Sequence, residues 1–225
     1  MSLVQRDYIL RLFEQMGQVI TVVIGLKKDG EPAEAMQVLN RNLQGLVGFD
    51  LDDIEHIGAA DVVKLVRIAR SGSDSVGEVV AGQLTVVAHL LQEAAGVYDL
   101  QGEPARADSA RLKALHVYLV VLTEENAGLE PAREAIAPLT EQVADYALPY
   151  TLTDLLWRYH EQEGNFAQAE NCLFELLEGA ESDEGTLGRG IAFYSRLLDR
   201  SDPELQEGGL PREEVEAGLA ELMEM

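Results

Sequence analysis

One short pattern occurs three times and limits what this chain can fold into. It reads Gly30-Glu31-Pro32-Ala33-Glu34-Ala35, then Gly102-Glu103-Pro104-Ala105-Arg106-Ala107, then Gly164-Asn165-Phe166-Ala167-Gln168-Ala169. Each copy lies between two apolar-periodic segments, so each is read as the elbow of a helix–turn–helix hairpin. Glycine is free to take the left-handed conformation that ends a helix. Proline is tolerated in the first turn of the next helix, where a missing N–H loses no partner. Small alanines let two helices approach. A chain that repeats this device is expected to be an array of helical hairpins.

The segments around the elbows carry matching periodicity. Ile9, Leu12, Phe13, Met16, Ile20 and Val23 recur at steps of three and four, which marks one face of a helix. The β-branched run Val19–Ile24 has the composition of a buried strand, but it continues the upstream period and is assigned to the same helix. Ala35, Val38, Leu39 and Leu43 form the stripe of a second helix, closed by Gly48-Phe49-Asp50. Residues 50–57 read as an acidic short helical turn or loop, and 60–69 as a short helix apolar nearly all round. The cluster Arg70-Ser71-Gly72-Ser73-Asp74 is a turn, and a subdivision near 70–75 would fall there in an otherwise single domain of 225 residues.

A long helix is expected over 76–100. Pro104 opens another, with Ala107, Leu112, Leu115, Tyr118, Val120 and Leu122 inward, and Pro131 opens one through Val143. Gly128 with Pro131, Ala132 and Ala135 reads as a fourth, degenerate elbow. Thr151 or Thr153 caps a helix carrying Leu155, Leu156 and Tyr159, and the third elbow leads into 167–177. Residues 178–190 begin as loop before Ile191, Phe193, Tyr194, Leu197 and Leu198 resume helical spacing. Gly208-Gly209 is a break, and Pro211 opens a last helix with Val215, Leu219 and Leu222 inward. No stretch sustains a period of two with hairpin turns, so the fold class is all-α.

Composition narrows the function. Forty Asp and Glu against 17 Lys and Arg give a formal net charge of -23, while a hydrophobic content of 47% rules out wholesale disorder. So negative a surface repels phosphate backbones and anionic head groups, which argues against nucleic acid and membrane as partners. The apolar run Val19–Leu26 is too short to span a bilayer, and no signal peptide is read at the start. Cys172, the single cysteine, sits beside Leu173 and Phe174 as a small hydrophobe, so neither a disulfide nor a multi-cysteine metal site is expected. The expected location is the cytoplasm.

Motifs for chemistry fail on spacing. Asp50-Leu51-Asp52-Asp53 lacks the later oxygen ligands and the glycine of a calcium loop, because Ile54 and Glu55 stand there. His56, His89, His116 and His160 include no pair three or four apart on a helix, and His160-Glu161 lacks the second histidine of a zincin motif. Gly185, Gly188 and Gly190 resemble a phosphate-cradling loop only loosely, with no preceding strand. Glu213-Glu214 belongs to a helix first turn, where carboxylates offset the macrodipole. No catalytic residue, cofactor or metal is read, and the chain is expected not to be an enzyme.

Leu91, Ala94, Ala95 and Tyr98 before the second elbow, with Ala107 and Ala114 after it, resemble the tetratricopeptide (TPR) pattern. Leu156, Ala169 and Leu173 match around the third elbow and Ala35 and Leu39 after the first, while Trp157 stands where that family has glycine. The elbow glycines lie 102 − 30 = 72 and 164 − 102 = 62 residues apart. The TPR period is about 34 residues, so irregular helices must separate the hairpins. The whole chain also resembles a bacterial, TPR-like family of domains of unknown function. That likeness is carried by Arg6-Asp7-Tyr8-Ile9, Ala169-Glu170, Leu173-Phe174-Glu175-Leu176, Phe193–Leu198 and Gly208–Val215.

Together the resemblances imply a right-handed TPR-like array with additional irregular helices. The first helix of each hairpin would line a concave face, giving Lys27, then His89, Gln92 and Asp99, then Asp154, Arg158 and Glu161. They imply a non-catalytic scaffold for a protein or peptide partner. Two alternatives stay open: a helical sensor or enzyme with a small-molecule pocket, and a structural homo-oligomer, with a homodimer its simplest form.

Overall fold

The computed structural model describes residues 3–68, 76–125, 129–179 and 184–225, and the fold is all-α, with no strand among them. In chain order the helices are α1 (Leu3–Lys28), α2 (Pro32–Val47), α3 (Leu51–Glu55), α4 (Ala59–Ile68), α5 (Val76–Gln101) and α6 (Pro104–Thr123). Then follow α7 (Glu130–Gln142), α8 (Tyr150–Gln162), α9 (Phe166–Glu178), α10 (Glu184–Leu198), α11 (Asp202–Glu207) and α12 (Arg212–Glu224). They gather into two compact units, Met1–Tyr146 and Ala147–Met225. The turn cluster at 70–75 and the degenerate elbow at Gly128 lie outside the described residues.

The three elbows are built alike. Gly30, Gly102 and Gly164 take φ values of 75°, 74° and 76°, in the left-handed region that only glycine enters cheaply. The N–H of the following residue closes back over the helix end: Glu31 onto Leu26, Glu103 onto Tyr98 and Asn165 onto His160, each at 2.9 Å to the carbonyl oxygen. Such closure satisfies a carbonyl that the helix end leaves open. The carbonyls of Glu31, Glu103 and Asn165 then accept from Ala35, Ala107 and Ala169 at 3.1, 3.1 and 3.0 Å, starting the next helix. Of the two alanines in each copy, the second is fully buried in all three hairpins, while Ala33 and Ala105 are exposed. Gly209 (φ 75°) repeats the closure between α11 and α12, with Leu210 N–H on Leu205 O at 3.0 Å.

In the first unit α5 and α6 are the central pair, with α1 and α2 packed on α5 and α4 and α7 on α6. The single inward stripe expected for α6 is corrected: every residue from Lys113 to Thr123 is buried, because neighbours enclose this helix on all sides. Leu84, Leu91, Leu115 and Leu119 fill the centre, each burial worth about 1.5–3 kcal/mol. The acidic segment after Gly48 is a short helix fixed by a capping box. The Asp50 carboxylate accepts from Asp53 N–H at 3.0 Å, and that of Asp53 accepts from Asp50 N–H at 3.1 Å. The Nζ of the buried Lys113 donates to the carbonyls of Ile54 and Glu55 at the end of that helix, at 3.0 and 2.8 Å.

In α1, Ile9, Leu12 and Val23 are buried, and Lys27 pairs with Glu93 of α5 at 2.6 Å. The whole stretch Asp7–Lys28, longer than the run Val19–Leu26 weighed above, is by length and composition apolar enough to cross a membrane, with 22% of that window buried.

The second unit is the hairpin α8–α9, with α10 on α9 and α12, and α11 on α12. Trp157, Phe166, Leu173, Leu176, Phe193, Tyr194 and Leu222 share its core. Two local expectations are corrected, and one short helix is added. Pro149 precedes α8 and is its cap, so Thr151 and Thr153 lie within the helix. Helix α10 starts at Glu184 and contains all three glycines; Gly190 serves packing, since a Cβ there would lie 2.8 Å from Leu222 and 3.1 Å from Leu173, while a Cβ on Gly188 would meet nothing within 4 Å. A helical turn, α11, precedes the Gly208-Gly209 break, with its own capping box between Ser201 and Glu204.

Candidate functional site

Helix α8 places Asp154, Trp157, Arg158 and Glu161 at i, i+3, i+4 and i+7, which is one face. Helix α10 offers Arg189, Ala192 and Arg196 at i, i+3 and i+7. Between them lies an open groove of about 390 Å³ lined by Trp157, Arg158, Glu161, Gln162, Arg189, Ala192 and Arg196. Its floor is Trp157, 3% exposed and edge-on to Phe193, with ring centroids 5.9 Å apart. The Arg189 guanidinium lies over the indole, 5.2 Å from the ring centroid, in cation–π range.

Carboxylates organise the arginines. Asp154 accepts from Arg189 Nη1 at 2.5 Å and faces Arg158 Nε at 3.2 Å. Arg189 also donates to the Tyr150 hydroxyl at 3.1 Å, which meets Thr186 Oγ1 at 2.6 Å. Glu161 takes a bidentate pair from Arg196, at 2.7 and 2.9 Å. Burial works against the charge on Arg189, and Asp154 and Tyr150 together outweigh it, so its pKa is raised. The Glu161 bond raises that of Arg196. Both stay cationic. Among the described residues the indole Nε1 of Trp157 and Nδ1 of the half-buried His160 have no hydrogen-bond partner, and burial lowers the His160 pKa, leaving that ring neutral near pH 7.

The expected groove residues divide between the units. Asp154, Arg158 and Glu161 come together on this groove. The four in the first unit lie on α1 and α5 and are engaged by side chains of that unit. Lys27 is held by Glu93, and Gly96 leaves it room, since a Cβ there would lie 3.1 Å from Nζ. His89 Nδ1 and Gln92 Oε1 both meet the buried Tyr118 hydroxyl, at 3.1 and 3.4 Å, and Asp99 pairs with Arg111. Arg189 and Arg196 were not read from the sequence. Their spacing of seven on an apolar-periodic segment was the available signal, obscured by treating Gly185–Gly190 as loop.

Among the described residues no group of three or more His, Cys, Asp or Glu could hold a metal ion. Burial pushes the Cys172 thiol up to about 12, so it is protonated and a weak nucleophile.

A family sequence profile matches residues 3–225, nearly the whole chain. The chain belongs to DUF6483, a family of unknown function. No curated protein and no solved structure matches it. Membership in DUF6483 therefore brings no activity with it, and any functional reading of this DUF6483 chain rests on the groove. Its second unit carries 18 Asp and Glu against five basic residues, Arg158, Arg189, Arg196, Arg200 and Arg212. Three of those five line one groove over the single tryptophan. What the arrangement can do is bind: planar guanidiniums with five N–H donors each can donate to a further carboxylate beside Asp154 and Glu161.

Proposed function

We propose that this chain is a non-catalytic, TPR-like helical-hairpin scaffold whose α8/α10 groove takes a peptide segment bearing carboxylates. Support for the hairpin reading comes from the three elbows of common geometry. One observation carries the binding reading: three of the five arginines in a unit with 18 acidic residues converge on a groove floored by Trp157. In so acidic a unit the groove offers an anionic side chain several N–H donors that offset the surrounding repulsion. An open groove of about 390 Å³ between two helices suits an extended or helical segment.

Because the chain has one tryptophan, its fluorescence reports the groove directly. Titration with a panel of peptides rich in Glu and aromatic residues is expected to shift Trp157 emission, while Lys-rich counterparts leave it unchanged. Arg189→Ala and Arg196→Ala should each weaken binding about tenfold, a loss of about 1.4 kcal/mol, in line with one charge-assisted hydrogen bond. If the whole panel leaves the emission of the wild-type chain unmoved, the groove is not the binding face.

A further inference from the structure

Helices α1, α2 and α5 pack on one another, and a cavity of about 190 Å³ stays open where they meet. Leu12, Met16 and Val19 wall it from α1, at i, i+4 and i+7 on one face. Val86 and Leu90 of α5, 5% and 2% exposed, form its floor. An apolar void of about 150 Å³ already holds benzene, so this one suits a body of about six to eight carbon atoms.

The polar side of the cavity carries one sign. Among the described residues Arg41 is the only charged one in its lining, in a chain of net charge -23. Elsewhere in the unit Arg11, Arg67, Arg106 and Arg111 are held by Asp7, Glu125, Glu55 and Asp108. Arg41 is exposed and has no such partner among the described residues. Gln15 beside the cavity is exposed, and Asn42 uses one amide hydrogen on the Val38 carbonyl, at 2.8 Å, and keeps the other. The rim therefore offers a guanidinium and two amides to an anion. At physiological salt, charges more than about 8 Å away are largely screened, so the acidic remainder of the chain opposes such an anion only weakly.

Gly45 is a second sign that this space is kept. It lies in the last turn of α2 with ordinary helical backbone, and a Cβ there would meet nothing within 4 Å. Neither a left-handed turn nor close packing requires glycine at that position, and alanine would favour the helix. What the missing side chain leaves free is the wall of the cavity.

We propose that this junction is a binding site, independent of the α8/α10 groove, for a small monocarboxylate with an apolar body. Its carboxylate meets Arg41 and its chain lies against Leu12, Val86 and Leu90. Isothermal titration of the full chain with octanoate is expected to show binding with a Kd on the order of 100 μM. Acetate, which lacks the apolar body, and 1-octanol, which lacks the charge, should each bind at least about tenfold more weakly. Arg41→Gln should weaken octanoate about tenfold and leave 1-octanol unchanged. Gly45→Leu, which puts a side chain at the wall, should remove octanoate binding while helicity by circular dichroism holds. Arg189→Ala should leave the octanoate affinity as it is, and Trp157 emission should not move, since both report the other groove. Octanoate that fails to bind at up to about 10 mM overturns the proposal. So does an affinity matched by 1-octanol or untouched by Arg41→Gln, which would mean partition onto apolar surface, or an affinity lost in Arg189→Ala.

Discussion

Tyr194 and Glu170 show how a single contact sets the chemistry of the second unit. The Tyr194 ring is fully buried, and its hydroxyl donates to Glu170 at 2.6 Å. Helix α12 comes so close that a Cβ on Gly218 would lie 2.4 Å from the phenol oxygen. The same approach brings Glu214 and Glu221 toward Glu170. Burial first, and then those two carboxylates, raise the Glu170 pKa, against the opposing effect of the tyrosine bond. A carboxyl with a raised pKa holds its proton more tightly folded than unfolded. Its contribution to stability is therefore greatest in acid and is lost as pH rises from the usual glutamate range through the folded value. Glu170→Gln keeps an acceptor for Tyr194 and removes the charge. Urea unfolding of the two proteins should show the variant gaining stability relative to wild type between about pH 4 and about pH 7. A difference flat across that range would mean that the ionised Glu170 costs the fold nothing.

At the scale of elements, the elbows separate two uses of glycine. Gly30, Gly102 and Gly164 have open space where a Cβ would go, so alanine there is opposed by the left-handed backbone alone. Each Gly→Ala change is expected to cost about 1 kcal/mol. Gly208 has ordinary φ but no space: a Cβ would lie 2.3 Å from Phe166 and 2.5 Å from the Gly164 carbonyl oxygen. A backbone atom cannot step aside like a side chain, so Gly208→Ala should cost more than any elbow change, about 2–3 kcal/mol. Thermal and urea unfolding of the four variants test this order.

The contrast also marks what could be read in advance. Elbows are local, and their glycine, proline and alanine announce them within six residues. The enclosure of α6 is not local: it follows from four neighbouring elements, and periodicity on one helix cannot count them. The groove sits between these cases. Asp154, Arg158 and Glu161 were legible as one face of α8. Arg189 and Arg196 reach them from α10 across the intervening hairpin, and no spacing rule on α8 points to them. On α5 the carried-over positions His89 and Gln92 looked available, yet the packing of α6 brings Tyr118 to them.

For the whole molecule, the decisive fact is that 225 residues form two compact units with separate cores. The first is centred on Leu84, Leu91, Leu115 and Leu119, and the second on Trp157, Leu173, Phe193 and Tyr194. A core residue removed from one should be felt first in that one. Leu173 is fully buried, and Leu173→Ala should cost about 2–5 kcal/mol. That is a large fraction of the about 5–15 kcal/mol that holds a domain folded. Trp157 belongs to the same core, so its fluorescence follows the second unit, while far-UV circular dichroism follows helices in both. In urea, Leu173→Ala should move the fluorescence midpoint to lower denaturant and split or broaden the dichroism transition. Leu119→Ala, equally buried in the first unit, should shift the dichroism transition and leave the fluorescence midpoint near its wild-type value. If both variants displaced both signals together, the two cores would be unfolding as one cooperative body.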